Sequence, residues 1–203
     1  DTLAFLIADV SGKGIPAAMF MMNAKAVLKS YAESGLDVNK VFTLTTEKLC
    51  EGNDAGMFVT AWMGFLNTET GEVTFANAGH NPPLVRHADG SFEYLKVRAG
   101  FVLAGMEGVK YRKNELQLAP GDVIYLYTDG VTEATNINDE LYGEDRLLAL
   151  LNANKEASME ELCKLVKEDV FAFAGEAPQF DDITMLALKY CGATAPTNQE
   201  EAL

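Results

Sequence analysis

The sequence holds little cysteine, and what it has is scattered. Cys50, Cys163 and Cys191 are odd in number and form no C-x-x-C pair. That leaves no disulfide framework, and it suits buried structural thiols in a reducing, cytoplasmic compartment. Basic residues are scarce as well: 16 Lys and Arg stand against 30 Asp and Glu, a formal net charge of −14. Such a chain repels phosphates, which argues against nucleic acid as a partner. No apolar run is long enough to span a membrane, because the most apolar helix carries Asn23, Lys25 and Lys29. No direct membrane contact is therefore expected, although a longer parent could be tethered to a membrane sensor. A basic signal-peptide region is missing too, and Asp1 stands almost inside a strand. At least one further strand is expected ahead of it. There is no internal repeat and no linker. One domain is expected over residues 1–191, with a disordered polar tail from 192 to 203.

What is present centres on Leu3–Phe20. Leu3 to Ala8 is a continuous apolar run, which predicts a strand buried on both faces. It ends in a carboxylate, Asp9. Gly12-Lys13-Gly14 supplies tight-turn chemistry, and Pro16 opens a helix at its first turn. A carboxylate held between a buried strand and a helix start is costly without a partner, and a divalent cation is an economical one.

The helix runs from Ile15 to about Ser34, with apolar residues on more than one face. Its Met-rich surface, Met19 and Met22 included, is either packed in the core or receives a partner element. Asp37 is placed to cap a second helix carrying Val38, Val41, Phe42, Thr45 and Leu49 on one face. The period then changes to strands. Met57–Asn67, Glu72–Ala78, Leu84–His87, Phe92–Val97, Lys110–Leu118 and Asp122–Thr128 are expected, with hairpin turns at Thr68–Gly71 and Ala88–Ser91. Helices at Gly143–Asn152 and Ser158–Phe173 follow, the second opened by the capping box Ser158-Met-Glu-Glu161. A last apolar strand covers Ile183–Tyr190. The pattern is α+β, with antiparallel sheets packed on each other and flanked by helices.

Three acidic sites share one context. Asp9 and Asp129 each follow a strand, and Asp181-Asp182 precedes one. A strand-end Asp alone is a common turn former. Three of them meeting at one sheet edge could not all ionise without a cation. Oxygen donors without His or Cys point to Mg²⁺ or Mn²⁺. Gly12 and Gly130 would allow close backbone approach.

Four ordered motifs carry a family resemblance: Asp9-Val-Ser-Gly-Lys-Gly14, Asn77-Ala-Gly-His-Asn-Pro-Pro83, Tyr127-Thr-Asp-Gly-Val-Thr-Glu-Ala134 and Phe180-Asp-Asp-Ile-Thr184. Together they resemble the PPM (PP2C-like) phosphatases, most of all the bacterial SpoIIE/RsbU-type serine phosphatases. The resemblance spans about Leu3 to Leu188. It implies a β-sandwich flanked by helix pairs, with two divalent cations, Mn²⁺ or Mg²⁺, at one end. Asp9 would bridge the cations, the Val10 carbonyl would bind one of them, and Asp129 and Asp181 would bind the other. Asp182 would stand behind Asp181 or exchange with it. The implied reaction is in-line attack of a metal-bridging hydroxide on a phosphoserine or phosphothreonine. The implied substrate is a phosphorylated regulatory protein of the anti-sigma-antagonist type. The domain would be the output end of a longer signalling protein with an upstream sensor or dimerisation domain.

Two departures qualify that expectation. A further family motif, of the Gly-Gly-Asp-x-x-Asp kind, has no counterpart here, which expects weak or absent activity of the isolated chain. Ser11 stands where eukaryotic relatives carry a His. His80 reads as either a titrating acid or a structural anchor of its turn, and His87 as a surface residue. Gly12-Lys13-Gly14 lacks the Walker A spacing, so a nucleotidase is rejected. Lys13 could still meet a phosphate. Glu133 is a further candidate near the metal edge or a helix N-terminal Glu. The competing function is a phosphoprotein-binding module that retains the fold without catalysis. Hydrolysis of a small phosphoester is a weaker third.

Overall fold

The computed structural model describes residues 1–88, 90–179 and 181–193. Strands β1 (Thr2–Val10), β2 (Val59–Asn67), β3 (Glu72–Ala78) and β6 (Asn114–Gln117) form one antiparallel sheet in that order. Strands β4 (Leu84–Arg86), β5 (Phe92–Tyr94), β7 (Val123–Tyr127) and β8 (Met185–Lys189) form the second, ordered β5-β4-β7-β8. Helices α1 (Ile15–Ala32) and α2 (Val38–Cys50) cover the first sheet. Helices α4 (Glu144–Ala153) and α5 (Met159–Ala174) cover the second. A single turn, α3 (Asp129–Thr132), follows β7 directly.

The period of two explains the layers. Phe5, Ile7, Trp62, Leu66, Val73 and Phe75 meet Val85, Ile124 and Leu126 between the sheets. The alternate residues turn outward: Ala61, Met63 and Ala76 meet Ala24, Leu28 and Phe42 of the first helix pair. On the other side Val123, Tyr125 and Tyr127 meet Leu147, Leu162 and Val166. Each strand face is thus apolar because each is covered. Trp62 fills the middle layer. It stacks on Phe75 with ring centroids 5.2 Å apart and leans on Phe5 at 5.3 Å. A Cβ at Gly64 would come within 2.8 Å of its ring, so the glycine makes the room.

Several expectations need correction. β1 is covered on both faces only from Phe5 on, with Phe5 and Ile7 between the sheets and Leu6, Ala8 and Val10 against the first helix pair; its first residues are open, Leu3 being 45% exposed. The apolar run marks the strand but not how far along it the covering layers extend. Asp37 occupies the N-cap of α2, yet its side chain makes no cap hydrogen bond; it pairs with Lys113 at 3.4 Å instead. The thiols are not buried: Cys50 and Cys163 are half-buried and Cys191 is exposed. The strands near 92–97 and 110–118 shorten to β5 and β6, because their ends leave the ladders. The Ser158 cap is borne out, with its hydroxyl accepting the Glu161 N–H at 3.2 Å. The polar tail, from residue 194 on, lies outside the described residues.

Candidate active site

β1 delivers Asp9 to one end of the first sheet, opposite Thr60 of β2. The pairing is tied off just beyond. The Ser11 N–H donates to the Phe58 carbonyl, and the Phe58 N–H donates to the Ser11 hydroxyl, both at 2.9 Å. Gly12 and Gly14, each at φ +82°, then reverse the chain into α1. In the second sheet β7 ends at Tyr127, and Asp129 opens α3.

Thr128 fixes the acidic loop before β8. Its hydroxyl donates to the Asp182 carbonyl at 2.9 Å and accepts the Thr184 N–H at 3.0 Å, while its own N–H donates to the Thr184 carbonyl. Gly130 lets that loop come close: a Cβ there would stand 2.3 Å from the Asp182 carbonyl oxygen. The Asp181 carboxylate accepts the Asp182 N–H at 2.8 Å, and the Lys13 ammonium lies 3.5 Å from its other oxygen.

The carboxylates share one field. The Asp9 pKa is pushed up to about 6, first by burial and then by the negative charges of Asp129, Asp181 and Asp182. Among the described residues, one buried oxygen of Asp129 has no hydrogen-bond partner. Asp9, Val10, Lys13, Asp181 and Asp182 line a cleft of about 700 Å³, whose far wall is Ala17, Ala18 and Met21 of α1. Among the described residues no three His, Cys, Asp or Glu side chains stand at metal-ligand spacing. The donor set still fits hard cations: it is all oxygen, and the orphaned Asp129 oxygen needs a positive partner.

Other residues fall outside the cleft. His80 is buried, with Nδ1 2.9 Å from the Thr60 hydroxyl, and burial lowers its pKa to about 4. It is neutral at pH 7 and does not hold its turn alone. Asn77 does that, accepting the His80 N–H at 2.8 Å and donating to its carbonyl at 2.9 Å. Glu133 is exposed at the C-terminal, not the N-terminal, end of α3. His87 is half-exposed and pairs with the buried Asp122 at 2.8 Å. Met19 and Met22 are 66% and 72% exposed on the outer side of α1. Sequence reasoning missed Thr128, Gln179 and Met21. Only Thr128 carried a signal, its place directly before Asp129.

A match to the family described as Stage II sporulation protein E (SpoIIE) covers residues 1–190. This chain belongs to the SpoIIE family. Among relatives, Phosphoserine phosphatase RsbU of Bacillus subtilis is 30% identical over 190 residues, covering 93% of this chain and 56% of RsbU. Protein IcfG of Synechocystis is 31% identical over 215 residues, covering 93% of this chain and 34% of IcfG. The chain thus spans about a third to a little over half of these relatives. The solved RsbU and RsbW domains of Rv1364c from Mycobacterium tuberculosis superpose with a TM-score of 0.84 at 26% identity, over 96% of this chain and 53% of that one. The SpoIIE-family sandwich expected from the motifs is therefore the fold observed.

Proposed function

We propose that residues 1–191 are the metal-dependent phosphatase domain of a bacterial signalling protein. It hydrolyses phosphoserine on a regulatory protein of the anti-sigma-antagonist type. Membership of the SpoIIE family and the likeness to a phosphoserine phosphatase support the reading. The observation that carries it is the buried Asp129 oxygen, unpartnered among the described residues, beside a field of three further carboxylates.

In this reading Asp9, Asp129 and Asp181 hold two cations, Mn²⁺ or Mg²⁺, and the Val10 carbonyl adds a neutral donor. Once bound, the cations supply the charge that activates a water and binds phosphoryl oxygens in an otherwise acidic cleft. The chain's own residues do the positioning. Thr128 and Gly130 set the height of the Asp181 loop. Asp182 serves that loop through its backbone, which favours Asp181 as the direct ligand. The Gly12–Gly14 turn brings Lys13 to the mouth, where its charge meets an incoming phosphate after leaving Asp181. The neutral, buried His80 pairs with the Thr60 hydroxyl of β2 and does not serve as the acid. Asp129→Asn tests the assignment: Mn²⁺ affinity measured by calorimetry and phosphopeptide hydrolysis should fall together, by at least tenfold. Unchanged Mn²⁺ affinity would remove Asp129 from the site.

Helix α1 is the proposed regulatory element. Its inner side lines the cleft through Ala17 and Met21, and Ala24 and Leu28 pack on the first sheet. Ile15, Met19 and Met22, spaced four and three apart, form an exposed apolar stripe. We propose that an upstream sensor or dimerisation element engages this stripe and so shifts the cleft wall.

A further inference from the structure

A recess in the first sheet carries charge of the opposite sign to the rest of the molecule. Between Lys96 and Lys113 lie five basic residues and one acidic residue, Glu107, in a chain of net charge −14. Arg98, Lys110 and Arg112 line one recess of about 310 Å³ together with Asn77, Asn114 and Phe101. All three cationic side chains are exposed. Lys113 is paired with Asp37, but among the described residues the ion pairs found include none to Arg98, Lys110 or Arg112. Among the described residues, three like charges stand around one hollow with no ion pair to offset them.

Its floor is fixed by backbone. The Gly100 N–H donates to the Asn77 carbonyl at 2.8 Å, and a Cβ at Gly100 would stand 3.1 Å from that oxygen. Strand register sets its place. Asp9 stands opposite Thr60, Asn77 opposite Trp62, and Asn114 opposite Phe75. The recess is therefore at the same end of the sheet as Asp9, two to three strands away. At about 4.8 Å per strand that is roughly 10–15 Å. A phosphate bound at Asp9 could not reach it, but an extended peptide covers the gap in about four residues.

We infer that this recess docks an acidic segment of the protein substrate, a few residues from the phosphoserine. The inference rests on the phosphatase reading for the substrate's identity. Complementary charge would steer a negatively charged partner onto an acidic enzyme that otherwise repels it. Screening makes the effect local and sensitive to salt.

The test is Arg98→Glu with Arg112→Glu, two exposed positions away from the cleft. A fluorescein-labelled Glu/Ser peptide without phosphate reports docking alone. Its affinity should fall roughly tenfold in the double variant, and likewise for the unaltered chain in high salt. With Mn²⁺, KM for a phosphoserine peptide with Glu residues four positions away should rise roughly tenfold at unchanged kcat. Hydrolysis of p-nitrophenyl phosphate, and the KM of a Lys-flanked phosphopeptide, should not get worse. Equal peptide affinity in both proteins overturns the inference. So does an oligothymidylate that displaces the peptide, or an equal loss on p-nitrophenyl phosphate. If neither protein hydrolyses anything but the peptide still discriminates between them, the phosphatase reading fails and the acidic docking site stands.

Discussion

Gly130→Ala is the most direct probe of how the site is assembled. The added Cβ would stand 2.3 Å from the Asp182 carbonyl oxygen, 2.9 Å from its carbon and 3.3 Å from the Asp181 carbonyl carbon. Real contacts of this kind need about 3.4 Å or more, so the loop must move by about 1 Å. The neighbouring atoms are backbone, tied down by Thr128, and cannot swing aside as a side chain would. Gly130 lies inside α3 and not at a positive φ, so alanine is otherwise acceptable there and even favoured by helix propensity. The net cost is about 1–3 kcal/mol. For a chain of this length that lowers Tm by roughly 2–12 °C. If Asp181 is a ligand, as proposed, the larger effect is on function, since a 1 Å displacement of it should cost about a hundredfold in activity. Thermal melts and Mn²⁺-dependent phosphopeptide hydrolysis measure both. Gly90→Ala, where the nearest atom is 3.7 Å away, is the control. Unchanged Tm and activity in Gly130→Ala would refute the claim that this close approach builds the site.

Asp122 gives the acid dependence. Burial raises its pKa, but the Ala119 N–H, His87 and the Ala88 N–H outweigh this and hold it below the ordinary 3.8. Its contribution is complete above that value and is lost as pH falls below it. Asp122→Asn should cost about 2 kcal/mol at pH 7 in urea melts and flatten the acid limb. Arg146 grips Asp169 with two bonds of 2.8 and 2.9 Å and lies over the Tyr142 and Phe173 rings. Arg146→Ala should loosen α4 from α5 by about 1–2 kcal/mol, with Asp169→Asn non-additive in a double-mutant cycle. Met19→Lys with Met22→Lys should leave catalysis by this chain intact and abolish signal response in a longer parent. An unaltered response there would sink the regulatory role of α1.

Much of this was legible in the sequence because it is local. Turn glycines, the Ser158 cap, the hairpin at Thr68–Gly71 and the strand-end carboxylates announce themselves within a few residues. The extent of the covering layers does not, which is why all of Leu3–Ala8 reads as buried while Leu3 and Ala4 are exposed. The α3 turn was missed because four residues are too short to show a period. The Thr128 staple joins residues 54 and 56 apart in sequence, and nothing in either segment names its partner. The basic recess is a product of folding too, since Asn77, Arg98 and Arg112 meet only once β3 and β6 pair. Asp37 fits the cap pattern, but Lys113 competes for it from 76 residues away.

Asp9 belongs to one sheet, and Asp129 and the Asp181 loop to the other. No single loop therefore sets the gap between them. The two sheets that carry them are held apart by the Trp62 layer. In the proposed metal-binding reading, a substitution in that layer, away from the carboxylates themselves, should retune which ion size the two sheets grip between them.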